Sequence, residues 1–139
     1  MEKIFQKNTT KNVLIDSSLY ENRHWKIKQL VAGIDEVGRG CFAGPVVTCA
    51  LVLHPQASHP LLKDSKILTA QQRQKAALWI TNHAWYSFGI MDHTIIDQQN
   101  IYQATKLAMK RAYYGLITHP SLPQKPKLIL IDAIPLILE

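Results

Sequence analysis

The sequence predicts an α/β fold in which one mixed β-sheet is flanked by helices. Three observations predict it. Apolar runs of strand length alternate with amphipathic stretches of helix length, in the order β-β-α-β-α-β. The first two strands are joined by the short stretch from Gly40 to Gly44, which suits an antiparallel pair. The length, 139 residues of which 47% are apolar, fits one domain able to bury one modest core.

The elements follow in order. Residues 1–29 read as a peripheral N-terminal arm or helix. Lys7 to Asn12 is a polar loop, and Val13 to Leu30 reads as one helix capped by Asp16 or Ser17. The domain proper spans 30–139. Val31 to Asp35 is a short strand that ends in two carboxylates, Asp35 and Glu36, and runs at once into the turn signal Gly38-Arg39-Gly40. Pro45 to Leu53, β-branched at Val46, Val47, Thr48 and Val52, is a buried strand that stops before His54-Pro55. A polar loop runs from His54 to Lys66. Thr69 then forms a capping box with Gln72 and opens a helix that extends to about Asn82. Trp85 to Met91 is a third strand, and Asp92 or Thr94 starts a short helical turn. Gln99 to Leu116 carries the strongest helix signal, with Ile101, Thr105, Ala108 and Ala112 on one face and Gln103, Lys106 and Lys110 on the other. After a loop with Pro120, Pro123 and Pro126, Leu128 to Ile131 is a fully apolar strand that ends in Asp132.

Composition excludes several classes. Two cysteines, Cys41 and Cys49, build neither a disulfide framework nor a four-thiolate zinc site. The six histidines form no ligand pair of the H-x-x-x-H kind. The polar N-terminus lacks the apolar segment of a secretory signal. The longest apolar stretch, Cys41 to Leu53, is too short to span a bilayer and is interrupted by Gly44, Pro45 and Thr48, so no membrane partner and a cytoplasmic location are expected. Sixteen Lys and Arg against ten Asp and Glu leave a net charge of +6 and a pI near 9.4. Such an excess favours a polyanionic partner, and a solvated basic surface accounts for it equally well. Half of it lies in residues 1–30 and half in the remainder, so no basic tail carries it.

Three acidic residues stand out by position. Asp35 and Glu36 end the first strand and Asp132 ends the last, where the surrounding apolar run would desolvate it. Ligand sites of α/β sheets lie at the carboxyl ends of strands. If the first and last strands are parallel neighbours, Asp35 and Asp132 converge, and a hard cation such as Mg²⁺ or Mn²⁺ would relieve their repulsion. The alternative is structural: Asp35 caps a turn and Asp132 closes a strand. Gly33, Gly38, Gly40 and Gly44 lie close together and allow a tight, anion-facing backbone, with Arg39 directed at phosphate or sugar. The run is neither a dinucleotide fingerprint nor a Walker A loop.

Ala32-Gly33-Ile34-Asp35-Glu36-Val37-Gly38-Arg39-Gly40, followed by Ala43-Gly44-Pro45-Val46-Val47, resembles the signature of the ribonuclease HII family. Three further blocks agree in order and spacing: Asp64-Ser65-Lys66 with Leu68-Thr69, the stretch Asn100 to Met109, and Leu130-Ile131-Asp132-Ala133. The resemblance implies an RNase H-like sheet and a divalent-metal endonuclease, using Mn²⁺ or Mg²⁺. It cuts the RNA strand of RNA–DNA hybrids, including single ribonucleotides embedded in DNA, to 3′-hydroxyl and 5′-phosphate ends. By carry-over, Asp35, Glu36 and Asp132 hold the metal, Gly38, Arg39 and Gly40 sense the ribose 2′-hydroxyl, and Ser65 and Lys66 contact the backbone.

The departures are Cys41-Phe42, where the family usually has Pro-Leu, and Ile67, where a second lysine is common. The family's fourth carboxylate and sugar-packing tyrosine lie downstream of the last block, so the resemblance implies a domain shortened at its C-terminus, and Glu139 does not match the missing motif. Ala133 to Leu138 would then expose apolar surface. Two rivals follow: a catalytically inactive hybrid-binding remnant, and a sister ribonuclease type with an added N-terminal binding domain, for which residues 1–29 are too short.

Overall fold

The computed structural model describes residues 3–6, 18–132 and 136. Its elements are β1 (Lys3–Gln6), α1 (Ser18–Lys26), β2 (Val31–Val37), β3 (Val46–Leu53), a 3-10 turn (Ser65–Ile67), α2 (Ala70–His83), β4 (Ala84–Met91), α3 (His93–Ile117) and β5 (Leu128–Ile131). The five strands form one sheet in the order β1-β5-β2-β3-β4. The β2–β3 and β3–β4 pairs are antiparallel, whereas β5 runs parallel to both β2 and β1. This is the expected mixed α/β sheet with one strand more, the edge strand β1, which no sequence pattern marks. The polar loop 7–12 and the helix caps Asp16 and Ser17 lie outside the described residues.

Alternation explains which face is buried. Val46, Thr48, Ala50 and Val52 of β3 are buried, with half-buried residues between them. That buried face packs against α3, whose Ala104, Thr105, Ala108, Met109, Ala112, Tyr113 and Leu116 are buried in turn. The approach is close because the stripe is rich in alanine and because β4 offers Gly89. A Cβ at Gly89 would strike the Ala108 carbonyl oxygen and lie 2.8 Å from its carbon. The other face of the sheet is barer there, leaving Val37, Phe88 and Ile90 more than half exposed.

Local signals set the helix ends. Thr69 and Gln72 form the expected reciprocal box at the start of α2. The predicted turn at Asp92 and the long helix from Gln99 are joined as one run, broken at Asn100, which adopts φ 67° and ψ 161°. Asn100 accepts the Gln103 N–H through its own side chain and so recaps the second segment, while Asp92 caps the first by accepting from Ile95. No described helix is long and apolar enough to cross a membrane.

The apolar tail needs a correction. Leu136 is 4% exposed and packs in the main core with Ile129 and Ile131, a burial worth about 1.5–3 kcal/mol. Residues 133–135 and 137–139 lie outside the described residues.

Candidate metal and nucleic-acid site

The parallel register of β2 and β5 pairs Ile34 with Ile131. Asp35 and Asp132 are the next residues of the two neighbouring strands, which lie about 4.8 Å apart. The register thus sets Asp35 and Asp132 just past the last β2–β5 ladder pair, but Asp35 does not end its strand as expected, because β2 continues to Val37 beside β3. Both carboxylates are exposed. The expectation that Asp132 is desolvated by its apolar run is overturned: it lies one residue past the last ladder pair, at the sheet rim, where water reaches it.

Glu36 is different. Successive strand residues point to opposite faces. Asp35 lies across from Cys49, and Glu36 across from buried Thr48, on the face that α3 covers. The Glu36 side chain is only 15% exposed. Its Oε1 accepts from the Arg39 guanidinium at 3.1 Å, and its Oε2 is buried with no hydrogen-bond partner. Asp35 Oδ1 accepts the Glu36 backbone N–H at 2.8 Å. Among the described residues, no three His, Cys, Asp or Glu side chains lie together as a metal cage. The structure thus brings Asp35 and Asp132 to one rim and turns Glu36 to the other side of the same strand end.

The connecting loop is shaped by two of the predicted glycines. Gly38 has φ +100° and would place a Cβ on the Pro45 carbonyl oxygen; Gly44 has φ +141°. Gly33 and Gly40 have ordinary backbone angles and open space at Cβ, so the sterics of the fold do not require glycine there. The Cys41 N–H donates to the Gly38 carbonyl at 3.3 Å and closes a turn. Cys41 and Phe42 are both exposed on this loop. Arg39 was expected to face phosphate or sugar, and its pairing with Glu36 was not anticipated.

Ser65 and Lys66 are exposed on the 3-10 turn. Asp64 caps that turn by accepting the Lys66 N–H at 2.9 Å. Arg73 fastens it from α2, donating to the Leu68 carbonyl at 2.6 Å and the Ser65 carbonyl at 3.5 Å. Nothing in the local pattern marked Arg73 for this. Burial pushes the Cys49 thiol up to about 11. Trp79 stacks on His83 and Trp85 tilts against His54, which are packing roles.

Residues 32–135 match the family profile of ribonuclease HII. A ribonuclease HII of Levilactobacillus brevis is 52% identical over 98 residues, covering 70% of this chain and 38% of its own. One from Cytophaga hutchinsonii is 47% identical over 105 residues, covering 75% of this chain and 50% of its own. The chain therefore spans half or less of the length of these relatives. The crystal structure of Bst-RNase HIII in complex with Mn²⁺ superposes with a TM-score of 0.66 at 21% identity, covering 90% of this chain and 42% of that one, which is a likeness of fold.

Proposed function

Because the chain belongs to the ribonuclease HII family, we propose that it supplies the strand-end carboxylates of a divalent-metal endonuclease. This enzyme cleaves the RNA strand of RNA–DNA hybrids, including single ribonucleotides in duplex DNA, to 3′-hydroxyl and 5′-phosphate ends, and acts in the cytoplasm. The single observation that carries the reading is the β2–β5 register, which sets Asp35 beside Asp132 at a shared carboxyl end. Residues 30–139 carry the proposed site, and residues 1–29 contribute the edge strand β1 and helix α1.

The donor set fits a hard cation. Asp35 and Asp132 offer carboxylate oxygens, the ligands Mg²⁺ and Mn²⁺ prefer, and Glu36, whose buried Oε2 has no partner, would join them only by leaving its present side of the strand. A divalent cation held by these residues would supply an activated water and charge stabilisation at the leaving oxygen of a phosphodiester. The chain's own residues do the rest. Asp35 and Asp132 present their oxygens at the open rim, where a backbone phosphate can approach. Arg39 holds Glu36 in place until a cation competes for it. Gly38 fixes the loop, and Gly40, with open space around it, lets the backbone come close to the ribose 2′-hydroxyl. Ser65 and Lys66 contact backbone phosphates from their exposed turn.

The test is cleavage of a duplex that carries one ribonucleotide, with Mg²⁺ or Mn²⁺ added. Asp35→Asn should reduce cleavage by at least two orders of magnitude; retention of full activity refutes the site. The second reading, a hybrid-binding segment without catalysis, is favoured by the lack of a three-ligand cage among the described residues. It predicts salt-sensitive hybrid binding with no metal-dependent cleavage.

A further inference from the structure

We infer that Phe42 is an apolar wedge with which the Gly38–Gly44 loop enters the minor groove of the hybrid and opens a base step; this rests on the family reading above. The starting observation is exposure. Phe42 is 111% exposed, the highest value among the described large apolar residues, and it shares one short loop with the carboxylate strand end. A phenylalanine ring normally buries 150–250 Å², so a ring held wholly in water forgoes what usually keeps it in a protein. Exposed apolar residues are common singly. This one is set apart by its placement.

The ring does not hang on a loose tip. The loop is closed by the Cys41–Gly38 turn and bends at the positive-φ residues Gly38 and Gly44, and in this conformation residue 42 projects outward. Three residues earlier, Arg39 is anchored to Glu36 yet keeps 41% of its side chain exposed. One cation and one unsupported ring on a braced loop are the parts from which minor-groove proteins read and unstack duplexes, the cation facing the groove and the apolar side chain entering a step. The wide, shallow minor groove of an A-like hybrid admits a ring that projects this far. Phe42 acts on the substrate only; it holds no metal and moves no proton.

The experiment uses the full chain in EDTA at low salt, so that binding is measured without cleavage. The probe is an RNA–DNA hybrid with 2-aminopurine in the DNA strand. Wild type should bind and raise the 2-aminopurine fluorescence as the step unstacks. Phe42→Ala should lose that rise and bind roughly 5- to 150-fold more weakly, with an unchanged far-UV spectrum. Its salt slope should stay that of wild type, because no phosphate contact is removed. Phe42→Trp should retain both signals. Equal affinity and equal fluorescence for Phe42→Ala overturn the wedge and leave the family reading standing. A weaker Phe42→Ala complex when wild type itself gives no fluorescence rise also overturns it, because the ring then touches the groove without opening a step. Failure of wild type to bind the hybrid at all overturns the proposed function and the wedge with it.

Discussion

Gly89 is where the sheet and α3 meet most closely, and Gly89→Ala should lower stability by about 2–4 kcal/mol. The magnitude follows from the contact. The added methyl would strike the Ala108 carbonyl oxygen, lying 2.8 Å from that carbonyl carbon and 2.9 Å from the Ala112 nitrogen. All three are helix backbone, so no side chain can rotate away. Ordinary contact needs 3.4–4 Å, so α3 must retreat by roughly 1 Å, a gap that forfeits a quarter to a half of each dispersion well. The loss falls on Val46, Ala104 and Ala108, which are fully buried between the two layers. Against a total stability of about 5–15 kcal/mol this is a large fraction. In urea unfolding, the midpoint should drop by roughly 1–2 M at unchanged m. The control is Gly33→Ala, which meets nothing within 4 Å at an ordinary φ and should change stability by less than about 1 kcal/mol. If Gly89→Ala matches that control, the claimed approach of helix to strand is wrong.

Two further predictions concern single groups. Burial raises the Cys49 thiol from an ordinary 9.0 to about 11, so the native state holds its proton more tightly than the unfolded chain does. That stabilisation is complete below pH 9 and is lost as pH rises towards 11. Because the residue is only half-buried, the loss is about 1–2 kcal/mol, and Cys49→Ala should flatten this alkaline limb of a stability–pH curve. Arg39→Ala leaves the largely buried Glu36 carboxylate without its ion-pair partner and should cost about 1–3 kcal/mol in thermal unfolding. Freed from that pair, Glu36 should bind Mn²⁺ up to about fivefold more tightly by calorimetry; weaker Mn²⁺ binding would contradict the view that Arg39 and a cation compete for the same carboxylate.

What could be read from the sequence was what neighbours in sequence decide. The Thr69–Gln72 box lies within one turn, and the β2–β3 pair follows from alternation and a short connection. The parallel pairing of the strands that lead into Asp35 and Asp132 had only to be supposed, and the register has it, although β2 runs on past Asp35 to Val37. β1 escaped because four residues, Lys3–Gln6, carry no pattern of their own and become a strand only by pairing with β5, more than a hundred residues away. The break at Asn100 was nearly visible. Asparagine tolerates positive φ, and its side chain caps the N–H three residues on, but the apolar period of the helix ran across it. The fastening of the Ser65–Ile67 turn by Arg73 had no local signal, since a cation near the start of a helix reads as one more solvated charge.

Glu36 shows why motif and geometry must be argued separately. Adjacent carboxylates in a sequence look like a ready pair of ligands, yet on a strand they face opposite sides of the sheet. Asp35 gains its neighbour from the next strand, and that neighbour is Asp132. Glu36 instead turns into the side that α3 covers, where an unpaired charge is costly, and the loop that follows returns Arg39 three residues later to meet it at 3.1 Å. The same loop is braced by Gly38 and carries Phe42 outward. The Gly-Arg-Gly turn therefore has a folding task before it has a substrate-binding one: it neutralises one oxygen of a carboxylate that the strand has pushed out of water and leaves the other, Oε2, without a partner. On the proposed reading, a cation at the rim would meet Asp35 and Asp132 in the open, and Glu36, held by Arg39 on the other side of the strand, would reach it only if that ion pair opened.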